Sequence, residues 1–321
     1  MQNEWIACIT VYFLTVLAVF PIGKLGWKIG AVDVPRDARR MHRVPVPRCG
    51  GLAILGAFLI GCICFGEWSQ SLFRVLFGAC MMTVVGLVDD VRSVPPLGKL
   101  LVQTVAAAVA CLPISPFFAF SVFWIVALAN AHNLIDGIDG LLAGCAVVEC
   151  VALGVVLWSM GRGQESLFAL LLGSACLGFR HFNRHPARIF AGDCGSGTVG
   201  YLLGVLSLPL FWEMRWSAGW LSPLFIFAYP LTDLSLAVLR RSINGKNPFC
   251  ADRAHLHHRI CAMGVGQRAC GRILILISTV FSCVGICLCS GTVLLAASVS
   301  CLLAALFLVE IRLWLAEGNE K

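Results

Sequence analysis

The sequence predicts an all-α protein: a polytopic integral membrane helix bundle of about eleven transmembrane helices, forming a single domain over residues 1–321. Three observations predict it. Hydrophobic residues fill 59% of the 321 positions and charged residues only 13%, with a mean hydropathy of +0.87, whereas a soluble domain carries about 25% charge. Apolar stretches near the roughly 20 residues that span hydrocarbon recur from end to end. Finally, 21 of the 24 lysines and arginines fall in alternate connections between those stretches, the bias left by charge retained on the cytoplasmic side.

The first stretch, at about 5–22, follows Glu4 with no Lys or Arg ahead of it. It therefore lacks the basic leader of a cleaved signal and reads as a retained span. The remaining stretches fall at about 49–66, 71–88, 97–113, 114–130, 141–160, 166–179, 198–212, 220–239, 272–290 and 292–309. With the N-terminus outside and the C-terminus cytoplasmic, only Arg74, Arg162 and Arg215 lie on the outer side. The acids sort the same way. Asp33, Asp37, Asp89, Asp90, Asp136, Asp139, Asp193, Asp233 and Asp252 fall in or near inner connections, while Glu4, Glu67, Glu165 and Glu213 fall outside. Five inner loops are thus expected to build an active site on the cytoplasmic face. The net charge of +7 is spent on orientation and contact with membrane lipids, so no nucleic-acid partner is expected. The 17 cysteines lie mostly within spans or inner loops and read as reduced packing residues.

The first inner loop is basic and braced by prolines, from Val32 through Arg40, Arg43 and Arg48 to Gly50-Gly51. It reads either as an orientation signal beside anionic lipid or as a phosphate clamp whose glycines admit close approach. The second opens with Asp89-Asp90, and Pro95-Pro96 stops any helix before Lys99. Adjacent carboxylates diverge by about 100° on a helix, so one is expected to reach a metal or attacking group while the other braces a loop. In the third, Asn133, Asp136 and Asp139 recur at three-residue intervals with Gly137 and Gly140 beside them and no basic residue. On a helix these would share one face about 9 Å long, suited to a metal or polyphosphate. Carboxylates are rare in chains this apolar and usually functional.

The fourth loop runs through Asn183, Phe190 and Gly192-Asp193-Cys194-Gly195-Ser196 into the next span. Free amides at that helix start are expected to cradle phosphate while Asp193 holds magnesium; the lysine of a P-loop is absent. The fifth carries His255, His257, His258 and Arg259. Spacing of i, i+2, i+3 suits a tetrahedral zinc poorly, and flanking arginines favour anion donors. Asp233, about seven residues before Arg240-Arg241, is expected to line the site from below, and Glu149, mid-span, to be a hydrogen-bonded packing acid.

Taken in order, Val88-Asp89-Asp90, the Asn130–Leu141 segment, Asn183 through Gly192-Asp193-Cys194-Gly195-Ser196, and His255-Leu256-His257-His258 resemble the polyprenyl-phosphate N-acetylhexosamine-1-phosphate transferases. That family includes the undecaprenyl-phosphate N-acetylglucosamine-1-phosphate transferases and, more distantly, the phospho-MurNAc-pentapeptide translocase. The resemblance spans about residues 32–260. It implies Asp193 and Asn133 as ligands of magnesium, with manganese as a substitute. It also implies Asp89, Asp90, Asp136 and Asp139 as catalytic carboxylates and Asn183, Phe190 and Gly137 as the nucleotide side. His255, His257, His258, Arg259, Arg43 and Arg48 are the candidate phosphate-binding residues. The His-Leu-His-His form resembles the branch that initiates O-antigen synthesis, because the translocase branch carries three consecutive histidines. The implied partners are a UDP-N-acetylhexosamine and undecaprenyl phosphate, at a bacterial inner membrane, with a homodimer as a candidate assembly.

Two rival classes make different demands. A secondary transporter or lipid flippase places charge near the bilayer midplane on discontinuous helices, but here only Glu149 lies deep. A CDP-alcohol phosphotransferase requires an Asp-Gly-x-x-Ala-Arg element that Asp136–Gly140 does not supply.

Overall fold

A computed structural model describes residues 2–35, 44–113, 116–243, 245 and 255–292. The first ten apolar stretches are helical over most of their described residues; all but the first residue of the eleventh, at 292–309, lies outside the described residues. The helices are α1 (Gln2–Ile29), α2 (Gly51–Phe65), α3 (Gln70–Val91), α4 (Pro96–Ala110), α5 (Phe118–Ile135), α6 (Leu141–Ser159), α7 (Gly163–Asn183), α8 (Asp193–Glu213), α9 (Ser222–Ile226), α10 (Ala228–Ile243), α11 (Leu256–Ala262) and α12 (Gln267–Cys289). The protein is a multi-pass helical membrane protein. Among the described residues the fold departs from all-α in one place: β1 (Val32–Asp33) pairs antiparallel with β2 (Val46–Pro47), closing the base of the first loop.

By length and composition the described helices differ in how readily they would span a bilayer. Among the described residues six helices, α1, α3, α5, α6, α8 and α12, are long and apolar enough to cross a membrane. A seventh crossing requires counting the Ala218–Ile226 and Ala228–Ile243 segments together, although they are bent by 73°. Helices α2 and α4 have 15 residues each, about 22 Å of rise against a hydrocarbon core of about 30 Å. Helix α7 has the length, but Glu165 in its first turn and Arg180 and His181 in its last shorten the apolar part. Hydropathy registers apolar residues without distinguishing lipid-facing helices from those enclosed by other helices.

Helix α8 is the enclosed one: 83% of its apolar window is buried inside the protein, against 22% for α1. It lies against α3 and α5. Gly200 and Gly204, four residues apart, bring the α5 backbone close; a Cβ at Gly200 would meet the Leu128 carbonyl oxygen at 2.4 Å, and one at Gly204 the Ile125 Cα at 2.9 Å. Small residues at this spacing let helices associate where lipid removes the hydrophobic drive. Polar ties fix the register: Trp124 Nε1 donates to Ser207 Oγ at 2.9 Å, and the Thr83 and Thr198 hydroxyls meet at 2.7 Å. Glu149 is fully buried beside His132, with Oε2 2.8 Å from Nε2, while His132 Nδ1 lies 2.9 Å from the Leu128 carbonyl. This is the hydrogen-bonded acid the sequence led us to expect. All described cysteines are free.

Candidate active site

The C-terminal ends of α3, α5 and α7 meet the N-terminal ends of α2, α4 and α8, and that junction gathers Asp89, Asp90, Asp136 and Asp193. Two glycines make the junction possible. A Cβ at Gly86 would sit 2.4 Å from the Cys194 amide nitrogen, and one at Gly51 would sit 2.2 Å from that of Gly195. Helix α3 can therefore deliver Asp90 directly to the start of α8. Asp90 Oδ1 accepts the Asp193 N–H at 3.0 Å and Oδ2 the Cys194 N–H at 3.1 Å, and Arg48 Nε lies 3.0 Å from Oδ1. A carboxylate on the positive end of a helix is the favourable polarity. It also corrects an expectation: these α8 amides do not await a phosphate, because Asp90 already caps them.

Asp193, in the first turn of α8, is left facing the junction. Lys99 Nζ pairs with its Oδ2 and lies 3.1 Å from Asp89 Oδ2, while Arg48 approaches Asp193 Oδ1 at 3.5 Å. Asn133 Nδ2 stands 3.5 Å from Asp193 Oδ2, held by Ser196 Oγ donating to Asn133 Oδ1 at 2.8 Å. Asp89 also accepts the Val94 N–H at 2.7 Å. Both adjacent aspartates thus brace structure, Asp90 by capping α8 and Asp89 by ordering the turn into α4. Sequence reasoning missed Lys99 as a site residue. Its signal was weak: a single lysine after Pro95-Pro96, indistinguishable from an orientation charge.

The third loop does not form one helical face. Helix α5 ends at Ile135, Asp136 caps it, and the chain turns through Gly140 at φ +74°, a conformation glycine adopts without strain. Asn133 and Asp136 stay near Asp193, but Asp139 turns away, taking His185 Nδ1 at 2.7 Å and the Ala187 N–H at 3.1 Å on Oδ2. Asn183 accepts the Gly140 N–H at 3.1 Å and donates to the Ile189 carbonyl at 2.9 Å. Asp139 and Asn183 therefore shape the fourth loop. That loop is stitched to the first by Phe190 N–H to the Pro47 carbonyl at 2.8 Å and Gly50 N–H to the Phe190 carbonyl at 2.9 Å.

Asp136 makes no hydrogen bond or ion pair among the described residues. Burial pushes its carboxyl well above the usual carboxylate range; the charges of Asp193 and Asp90 push the same way, against Arg48. A cation between Asp136 and Asp193 would relieve this crowding. No three His, Cys, Asp or Glu side chains form a preformed cage among the described residues. That donor set fits magnesium, which takes one or two carboxylates and completes its shell with water and substrate phosphate.

The fifth loop closes over the third. Asp233, fully buried, holds His255 Nδ1 at 3.0 Å and the Leu256 N–H at 2.9 Å, so it anchors α11 and does not line the site directly. His257 packs its ring on Gly137, where a Cβ would meet Nε2 at 2.3 Å, and neither ring nitrogen has a partner. Burial, reinforced by the neighbouring His258, pushes His257 down to about 4, and burial lowers His258 too. A neutral His257 offers one N–H. Arg259 is exposed beside them; Arg43 lies outside the described residues.

A pH prediction follows. A histidine depressed in the folded state protonates first in the unfolded chain, so its stability contribution is complete above about 6.5. It is lost as pH falls toward about 4. The unfolding temperature of His257→Leu should fall less than that of the wild-type protein between those limits; parallel curves would contradict the assignment.

A family model described as glycosyl transferase family 4 matches residues 72–210. The chain is 34% identical over 310 residues to a probable undecaprenyl-phosphate N-acetylglucosaminyl 1-phosphate transferase of Bacillus subtilis, covering 89% of this chain and 85% of that protein. It is 30% identical to a decaprenyl-phosphate N-acetylglucosaminephosphotransferase of Mycobacterium tuberculosis, over 81% of this chain and 76% of the relative. An undecaprenyl-phosphate alpha-N-acetylglucosaminyl 1-phosphate transferase of Salmonella typhi is 28% identical, over 87% and 82%. With Asp89-Asp90, Asn133–Gly140, Asp193 and the His255–His258 element gathered at one end of a helical bundle, and relatives this similar along most of their length, the chain belongs to the polyprenyl-phosphate N-acetylhexosamine-1-phosphate transferases of glycosyl transferase family 4.

Proposed function

We propose that the protein transfers N-acetylhexosamine 1-phosphate from a UDP-sugar to undecaprenyl phosphate at the cytoplasmic face of a bacterial inner membrane. N-acetylglucosamine is the first sugar to test, and initiation of an O-antigen or related envelope polysaccharide is the expected use. One observation carries the reading: Asp193, at the tip of the enclosed helix α8, meets Asp136, Asn133, Lys99 and Arg48 where the helix ends converge.

Phosphoryl transfer needs positioning and charge neutralisation more than covalent help. Asp193, with Asn133 and Asp136, would hold magnesium, which neutralises the donor's pyrophosphate when bound. Lys99, shared between Asp89 and Asp193, sets the direction of the Asp193 carboxylate and adds positive charge beside it. Arg48, anchored by Asp90, offers its remaining guanidinium N–H groups to an incoming phosphate. The neutral His257, unpartnered over Gly137, has one N–H for a phosphate oxygen or a sugar hydroxyl. An acceptor phosphate oxygen forms a bond to the sugar-bearing β-phosphorus, the bond from that phosphorus to the bridging oxygen breaks, and UMP leaves with that oxygen. A phosphate monoester has a second pKa near 6, so the acceptor is mostly dianionic at pH 7 and no protein base is required.

The test is to incubate the purified protein with undecaprenyl phosphate, magnesium and each of several UDP-N-acetylhexosamines, and to follow UMP. Release is expected with at least one donor, only with the lipid present, abolished by EDTA and restored by magnesium or manganese. Undiminished release after chelation would remove the metal from the account; no release with any donor would remove the reaction.

A further inference from the structure

A second basic feature lies outside the carboxylate junction. A cleft of about 630 Å³ opens between the C-terminal end of α7 and the N-terminal end of α12, and Arg180, Arg184, Arg188, Arg268 and Arg272 line it. None of the five forms an ion pair with a carboxylate among the described residues. Asp139 is also on the wall, but its Oδ2 is taken by His185 Nδ1 and the Ala187 N–H. Arg180 is half-buried against Gly144, and its Nε has no partner. Five guanidinium groups around one concavity repel each other unless an anion sits among them, and their planar forks match phosphate oxygens.

The surroundings select the source of that phosphate. Leu177 lies one turn before Arg180 on α7 and Leu276 one turn after Arg272 on α12, and they are 46% and 61% exposed. Residues three and four apart share a helix face. Each wall of the cleft therefore continues, toward the bundle middle, into exposed apolar surface. A soluble nucleotide has no use for that surface, whereas acyl chains do. We propose that this cleft binds the headgroup phosphate of an anionic phospholipid, whose chains run down α7 and α12. Basic pockets between transmembrane helices are suited to such headgroups.

The full chain, purified in neutral detergent, is titrated with phosphatidylglycerol or phosphatidylcholine, and bound lipid is counted by native mass spectrometry. UDP binding is measured in parallel by calorimetry. Wild-type protein should bind phosphatidylglycerol selectively. The exposed pair Arg268→Gln with Arg272→Gln should weaken that binding about tenfold or more and leave phosphatidylcholine and UDP binding unchanged. Arg184→Gln with Arg188→Gln, from the opposite wall, should give the same loss, so that a folding defect in one variant does not decide the matter. Equal phosphatidylglycerol affinity in wild type and both variants would overturn the proposal. So would a matching loss of UDP affinity, because the cleft would then belong to the donor site.

Discussion

Asp193→Asn should lower UMP release by about 10³-fold or more, roughly 4 kcal/mol of transition-state stabilisation, while leaving the protein folded. The two halves of that expectation come from different contacts. Asparagine keeps the size of the side chain and its approach to Asn133, and Lys99 retains Asp89 at 3.1 Å, so the junction stays closed. The Asp90 cap on α8 uses the Asp193 backbone N–H, which the substitution does not touch. What is lost is a carboxylate charge beside Asp136, and with it the better part of the proposed magnesium site. UMP release at saturating magnesium and the unfolding temperature should therefore separate, the first collapsing and the second moving little. Turnover near that of the wild type would refute the assignment of Asp193.

Asp90→Ala and Asp89→Ala should differ in kind. Removing the Asp90 carboxylate strands the Asp193 and Cys194 amides at a buried helix start and frees Arg48 Nε. Leaving buried amides unsatisfied costs about 1–3 kcal/mol and losing a helix cap about 1 kcal/mol, while Arg48, one-third exposed, keeps Asp193 as a partner. Stability and activity should fall together. Asp89 is partly exposed, at 18% of its side chain, and its Lys99 partner keeps Asp193. Its loss should cost about 1 kcal/mol of stability. Activity should nevertheless fall about 10²-fold, because Lys99 and the turn after α3 lose the anchor that positions them. Thermal unfolding and UMP release measured on both variants decide this; equal destabilisation would contradict the capping role of Asp90.

The helical segments were legible because lipid and a buried interior both demand apolar residues, and for the same reason hydropathy does not separate lipid-facing helices from enclosed ones such as α8. Helices α2 and α4, read from hydropathy as the 49–66 and 97–113 stretches, have 15 residues each. The gathering of loops was legible from the inner-side bias of aspartate. The contacts that make the site were not, since Asp90 caps a helix 103 residues away, and no local pattern encodes such a partner. The repeat of Asn133, Asp136 and Asp139 suggested a continuous helical face, yet Gly137 and Gly140 end the helix and send Asp139 to the fourth loop. Lys99 went unrecognised as a site residue because charge bias alone explains a lysine there.

The central claim, that distant segments share one cation, is tested most directly by replacing magnesium with ferrous iron and mapping backbone cleavage after ascorbate and peroxide are added. Cuts are expected near residues 89–90, 133–136 and 193–196 together, competed away by magnesium and missing in Asp193→Asn. Cleavage confined to one of these segments, or unchanged by magnesium, would contradict the account.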